Sequence, residues 1–182
     1  QLIQSGIQAQ YGADWTLLSA SPPREALFVY VQPETPAAAA GIARGDRILE
    51  IDGEDFVNGD NVTALNDVFF PNDGDTHNFL ISSFDGTQER MVTMTAAALT
   101  IDPVPITNVI ATPQGPVGYL YFVSYLNTSE KALVDAFNSF EAAGITELII
   151  DVRYNNGGLL DIANQLAYMI AGPAAAQGRI FD

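Results

Sequence analysis

Cysteine is absent from the 182 residues, which excludes a disulfide framework and every thiolate metal site. Lysine occurs only as Lys131 and histidine only as His77. With 22 acidic side chains against seven basic ones, the formal net charge is −15, so the chain repels polyanions and nucleic acid is excluded as a partner. No apolar run approaches the roughly 18–20 residues of a membrane-spanning helix. Residues 1–10 lack the charged start and continuous apolar stretch of a signal peptide, so either none exists or it has been removed. Asp73 and Asp75 flank Gly74, but the ligand run of a calcium loop does not follow, and turn chemistry accounts for them. Neither a metal nor any other cofactor is expected.

What is present is a 48% hydrophobic composition, enough for one large core or two small ones. Residues 26–32 (ALFVYVQ) combine β-branched and aromatic side chains between prolines, which predicts a core strand. Pro36 opens a one-turn alanine helix over 36–40, with Gly41 as its C-cap. The alternating 46–51, the pair Asp52-Gly53 and 54–57 read as strand, tight turn, strand. Asp60 or Asn61 caps a helix on which Val62, Leu65, Val68 and Phe69 share a face. Strands over 76–83 and 88–95, joined through Asp85-Gly86, close this first unit.

Residues 96–116 contain Pro103, Pro105, Pro113 and Pro116 and read as linker, with one short extended piece around 108–111. A βαβα run follows: strand 117–123, helix 129–143, strand 147–152, helix 159–171. Asn127 and Glu130 form a capping-box pair at the start of the first of these helices. Two strands do not make a stable sheet, so the sequence is expected to stop short of a complete domain, with a further strand starting at 180–182.

Residues 33–53, PETPAAAAGIARGDRILEIDG, closely resemble the signature of PDZ domains of the bacterial protease type. The resemblance implies a PDZ-like, partly open β-barrel with two helices over 1–97. It also implies binding of an extended peptide, by its C-terminus, as a strand added to a sheet edge. On that pattern the carboxylate loop is Tyr11-Gly12-Ala13-Asp14, and the binding strand runs from Trp15 through Leu17 to Ser19. The pocket wall is the second helix, through Val62, Leu65 and Phe69. Without the resemblance, 11–15 is an edge turn, and Asp14 is an electrostatically poor neighbour for a carboxylate.

Residues 148–160, LIIDVRYNNGGLL, resemble the strand-loop-helix signature of carboxyl-terminal processing serine proteases. Asp151, Arg153, Asn155 and the pair Gly157-Gly158 match it, with Asn156 where a proline is common; Gly118-Tyr119-Leu120 and Ser124 resemble that family's first catalytic-domain strand. The implied order is a PDZ-like domain over 1–97, a linker over 98–116 and the N-terminal part of a peptidase domain over 117–182. The fold class is therefore α+β, with an incomplete α/β segment at the end.

The chemistry of Gly157 and Gly158 suits that family. Glycines between a strand end and a helix start leave backbone N–H groups open to close approach, where a tetrahedral oxyanion can be stabilised. Without the resemblance they are a strand-to-helix turn, and the Lys-Ser/Thr of a phosphate loop is missing. The family's nucleophilic serine and its lysine lie downstream of the glycine pair, and no serine or lysine follows Gly158. Ser124 with Lys131 is set aside as a dyad, and His77 is read as a solvated residue of the polar turn 72–78.

The resemblance implies a serine endopeptidase of the C-terminal processing type, selecting polypeptide substrates by apolar C-termini in an extracytoplasmic bacterial location. This chain by itself is expected to bind and not to cleave. The alternative is a non-catalytic PDZ scaffold with a degenerate protease fold.

Overall fold

The computed structural model describes residues 6–178. It divides into two compact units, 8–99 and 100 onward with Gly6 and Ile7. The first contains β1 (Ile7–Gln10), β2 (Ala13–Ser19), β3 (Glu25–Val31), α1 (Pro36–Ala39), β4 (Arg47–Ile51), β5 (Glu54–Asp55), α2 (Val62–Phe69), β6 (Thr76–Ser82), β7 (Glu89–Thr95) and β8 (Ala97–Thr100). The main sheet runs β2-β3-β4-β6-β7, with β5 on β4 and a separate β1-β8 pair. It stays open and does not close into a barrel.

The strands form where period-2 burial allows. Val92 and Met94 of β7 point inward while Met91 and Thr93 face water. Phe28, Ile48, Phe56, Phe79, Ile81 and Met94 fill the core, each 0–1% exposed. Asp52 and Gly53 both take positive φ, 52° and 82°, as the tight β4–β5 turn demands. Asp46, only 3% exposed, ties the corner after α1 to β7. Its carboxylate accepts from the Ala43 N–H at 3.0 Å and from Arg90 Nη2 at 2.8 Å, and Arg90 also donates to the Gly41 carbonyl.

The second unit holds β9 (Ile106–Thr112), β10 (Gly115–Tyr121), α3 (Ser129–Ala142), β11 (Glu147–Asp151) and α4 (Leu160–Ala176). β10 lies between β9, antiparallel, and β11, parallel, with Val117 opposite Glu147 and Tyr121 opposite Asp151. Leu133, Ala136 and Phe140 of α3 and Ile162 and Leu166 of α4 cover Leu120 and Phe122.

Three sequence expectations are corrected. The segment 98–116, read as linker, carries most of β8 and the whole of β9, which pairs with β10 over seven positions. Its prolines mislead because Pro103, Pro105 and Pro113 fall outside the strands, leaving only Pro116 within one. No capping box opens α3: its N-cap is Thr128 without a side-chain cap bond. Ser129 instead accepts from the Leu126 N–H and donates to the Ser124 carbonyl. The helix expected over 159–171 does end there: Gly172, at φ 76° ahead of Pro173, breaks it, and a further helical stretch carries α4 on to Ala176. His77 belongs to β6 and not to a solvated turn, with Nδ1 2.6 Å from Asp52 Oδ2. The strand expected at 180–182 lies outside the described residues.

Candidate functional site

β2 is an edge strand, paired in its sheet with β3 alone. The loop that leads into it is held by its carbonyls. The Tyr11 carbonyl accepts from the Ala37 N–H at 2.9 Å, and the Gly12 carbonyl accepts from the Gln32 N–H at 2.8 Å. In a trans peptide the C=O and the following N–H point in opposite directions. Both N–H groups that follow, those of Gly12 and Ala13, therefore point away from α1 and Gln32. Gly12 has φ 82°, and successive N–H groups around such a residue form an anion-accepting concavity.

The side chains expected around this loop divide between core and groove. Tyr11 is 2% exposed and packs edge-on to Phe79, so its ring is core and only its backbone serves the loop. Leu65 is likewise 3% exposed, on the inner face of α2. Trp15 is half-buried and meets Phe69 edge-on at 4.5 Å, which ties β2 to α2. Val62 is the first residue of α2. Leu17 is exposed beside a register shift at Leu18, which leaves two consecutive leucines facing solvent on the edge strand. Asp14 is half-buried with no hydrogen-bond donor on its carboxylate among the described residues, and burial pushes its carboxyl above the ordinary range.

The glycine pair of the second unit lies alongside the chain that leaves β10. The Tyr125 N–H donates to the Gly157 carbonyl at 2.9 Å, the Leu159 N–H to the Tyr125 carbonyl at 2.8 Å, and the Asn156 N–H to the Val123 carbonyl at 2.9 Å. The Asn155 side chain spans the turn, donating to the Phe122 carbonyl at 3.1 Å and accepting from the Gly157 N–H at 2.8 Å. The two glycines therefore differ. The Gly157 N–H is taken, whereas the Gly158 N–H points away from Tyr125 and meets no acceptor among the described residues. Gly158 has φ 137°, and a Cβ there would lie 2.2 Å from the Tyr125 carbonyl oxygen.

Asp151 anchors the start of the same turn. It is 9% exposed and accepts from Arg153 Nη2 at 2.6 Å and from the Tyr119 hydroxyl at 2.9 Å. The Arg153 hydrogen bonds, foremost, hold its carboxyl well below the usual range despite burial, and the same pairing pushes the guanidinium up. Ser124 is buried and donates to the Gly157 carbonyl, and exposed Lys131 pairs with Asp135 one turn along α3, so the two do not meet as a dyad. No cluster of three metal-ligating side chains occurs among the described residues.

Thr35 was missed from sequence. Its side chain touches Gly12, yet the only signal was a threonine directly before a helix-opening proline.

Comparison with known proteins places both regions. A PDZ domain family model matches residues 27–69, and the model of peptidase family S41 matches 116–178. The C-terminal processing peptidase, chloroplastic, of Tetradesmus obliquus is 28% identical over 149 residues, covering 76% of this chain and 32% of the relative. The carboxy-terminal processing protease CtpA of Bacillus subtilis is 30% identical over 146 residues, covering 76% of this chain and 28% of the relative. A solved structure titled as an S41 protease from Bacteroides fragilis superposes with a TM-score of 0.60 at 28% identity, covering 87% of this chain and 43% of that one. The photosystem II D1 C-terminal processing protease shares the fold, with a TM-score of 0.61 at 21% identity over 89% of this chain and 44% of that one. The chain spans about a third of the length of these curated relatives. No helix among the described residues is long and apolar enough to cross a membrane. With a PDZ domain ahead of an S41 peptidase segment, the chain belongs to the carboxyl-terminal processing peptidases.

Proposed function

We propose that residues 8–99 capture the C-terminus of a polypeptide as an added strand along β2, for a serine endopeptidase whose oxyanion hole takes one donor from Gly158. The observation that carries this reading is the edge position of β2 directly after a loop whose carbonyls are engaged and whose Gly12 and Ala13 N–H groups meet no acceptor among the described residues. Main-chain bonds along β2 supply affinity in this mode, and the apolar surface of Trp15, Leu17 and Phe69 favours an apolar terminal side chain. Gly158 narrows the oxyanion assignment to one of the two glycines, because Asn155 already accepts from the other. The nucleophile and its lysine are not among the residues of this chain in family context, so the chain alone binds and does not cleave. The proposal includes an extracytoplasmic location, in keeping with the family resemblance.

The test is a titration with a short peptide ending in valine, as free carboxylate and as carboxamide, followed by Trp15 fluorescence. The free acid is expected to bind at least about fivefold tighter, the scale of one charge-assisted hydrogen-bond set. Equal affinities would remove the carboxylate role of the loop. Hydrolysis of the peptide by the purified chain would refute the division between binding and cutting.

A further inference from the structure

Thr35 does more than start a helix. It is 4% exposed, and its hydroxyl lies 2.7 Å from the Gln32 carbonyl and 3.3 Å from the Gly12 carbonyl, with one proton to share between them. The Ala38 N–H reaches the same oxygen at 3.5 Å. Gln32 in turn donates its N–H to the Gly12 carbonyl at 2.8 Å. The hydroxyl therefore grips both ends of the contact that turns the Gly12 peptide inward. The side chain also presses directly on Gly12: a Cβ at that residue would lie 2.3 Å from Thr35 Cβ and 2.4 Å from Oγ1. Glycine is required here by Thr35 as much as by φ.

We infer that Thr35 is a positioning residue for the peptide's terminal carboxylate, acting through Gly12 and not by contact. This rests on the proposed groove along β2. Thr35 fixes the Gly12 carbonyl inward, and peptide planarity then aims the Ala13 N–H outward, where a carboxylate would sit. The one-turn α1 contributes no anion site of its own, since the Ala37 N–H is bonded to the Tyr11 carbonyl and the Ala38 N–H approaches Thr35. Without the hydroxyl, the Gly12 carbonyl keeps only the Gln32 N–H and the Gln32 end loses its own anchor, so the Gly12–Ala13 peptide loosens and the Ala13 N–H is less well aligned for the carboxylate, while the rest of the strand ladder is untouched. The loss therefore appears in the carboxylate-to-carboxamide preference and not in general affinity.

The experiment compares the valine-terminated peptide as free acid and as carboxamide on the wild-type chain and on Thr35→Val, Thr35→Ala and Thr35→Ser. The wild type is expected to prefer the acid at least about fivefold. Thr35→Val should cut that ratio to about half or less, the Gly12 N–H remaining as a donor, while carboxamide affinity changes by less than about twofold, and Thr35→Ser should restore the preference. Thr35→Ala, which leaves space where valine crowds Gly12, is the second hydroxyl-free variant, and far-UV circular dichroism with Trp15 emission checks that each variant is folded. A folded hydroxyl-free variant that keeps the wild-type ratio overturns the role of Thr35 and leaves the groove reading standing. A wild type with no preference overturns the groove reading and this inference with it.

Discussion

Phe69→Ala tests whether the rings between β2 and α2 hold the groove together. Phe69 meets Trp15 edge-on at 4.5 Å and Phe56 at 6.0 Å. Truncating a fully buried phenylalanine costs about 3–5 kcal/mol. Phe69 is half-buried, which brings the packing loss to about 2 kcal/mol, and the edge-on pairs add about 0.5–1 kcal/mol. The expected loss is thus about 2–3 kcal/mol. Trp15 is the sole tryptophan of the chain and belongs to the 8–99 unit. Its emission reports that unit's unfolding separately from the other, so a two-state fit is justified. With a urea slope of about 1.5 kcal/mol/M, the midpoint should fall by about 1.3–2 M, and native emission should shift to the red as the indole loses its cover. A midpoint change below about 0.5 M with an unchanged slope would refute the claim that this aromatic pair fastens α2 to β2. The same substitution deepens the apolar surface beside β2, so a peptide ending in phenylalanine should gain affinity relative to one ending in valine.

Asp14→Asn should strengthen binding of the free-acid peptide at pH 7. Because burial raises the Asp14 carboxyl, its contribution to stability is present below the unfolded value of about 3.9 and lost as pH rises through the folded value. The asparagine variant should therefore be more stable than wild type at neutral pH and gain nothing at pH 3, read by urea midpoints from Trp15; an equal gain at both would refute the assignment. Asp46→Ala should cost the first unit about 2–4 kcal/mol, since Arg90 and the Ala43 N–H both lose their acceptor, and a loss under about 1 kcal/mol in the same assay would show that water replaces it. Arg153→Met should destabilise the second unit at pH 7 by leaving the buried Asp151 unpaired. Pairing lowers the Asp151 carboxyl, so its contribution is present above about pH 4 and lost as pH falls, and the deficit of the variant should shrink in acid. A deficit independent of pH, by thermal unfolding monitored in the far ultraviolet, would contradict this.

Elements with local causes were legible in the sequence. The Asp52-Gly53 and Asp85-Gly86 turns, the proline-opened helix and the apolar stripe of α2 depend on residues close together in the chain, and all fall where turn and capping chemistry puts them. β9 was not legible, because its exposed, mixed-polarity residues gain strand character only from pairing with β10. The Asn127–Glu130 cap lost to a competing local solution, in which Ser129 bonds backward to the Ser124–Leu126 segment. For the sites, the loop 11–14 and the glycine pair could be named, but the bonding of each N–H could not. That Leu65 and the Tyr11 ring belong to the core also depends on packing against residues distant in sequence, such as Phe79.

The two candidate sites share one construction, though their chemistry differs. In each, a loop glycine has its carbonyl claimed by the scaffold: Gly12 by Gln32 and Thr35, Gly157 by Tyr125. The trans peptide then turns the next N–H, of Ala13 or of Gly158, away from the scaffold. Each construction needs a glycine where the claiming group presses closest, for a Cβ would stand 2.3 Å from the Thr35 side chain at Gly12 and 2.2 Å from the Tyr125 carbonyl at Gly158. Glycine is thus a by-product of preorganisation: what aligns the donor is the neighbour that leaves no room for a side chain. Gly157 supplies the contrast, since nothing lies near its Cβ position and its N–H is bonded to Asn155. Gly158→Ala should therefore damage the second unit far more than Gly157→Ala. Both alanines are strained by positive φ, at 137° and 78°, but only the first also collides with backbone that cannot move without breaking the Tyr125 contacts. Equal losses in thermal unfolding of the two variants would show that φ alone accounts for the pair, and would remove the argument that the Tyr125 carbonyl is what requires glycine at 158.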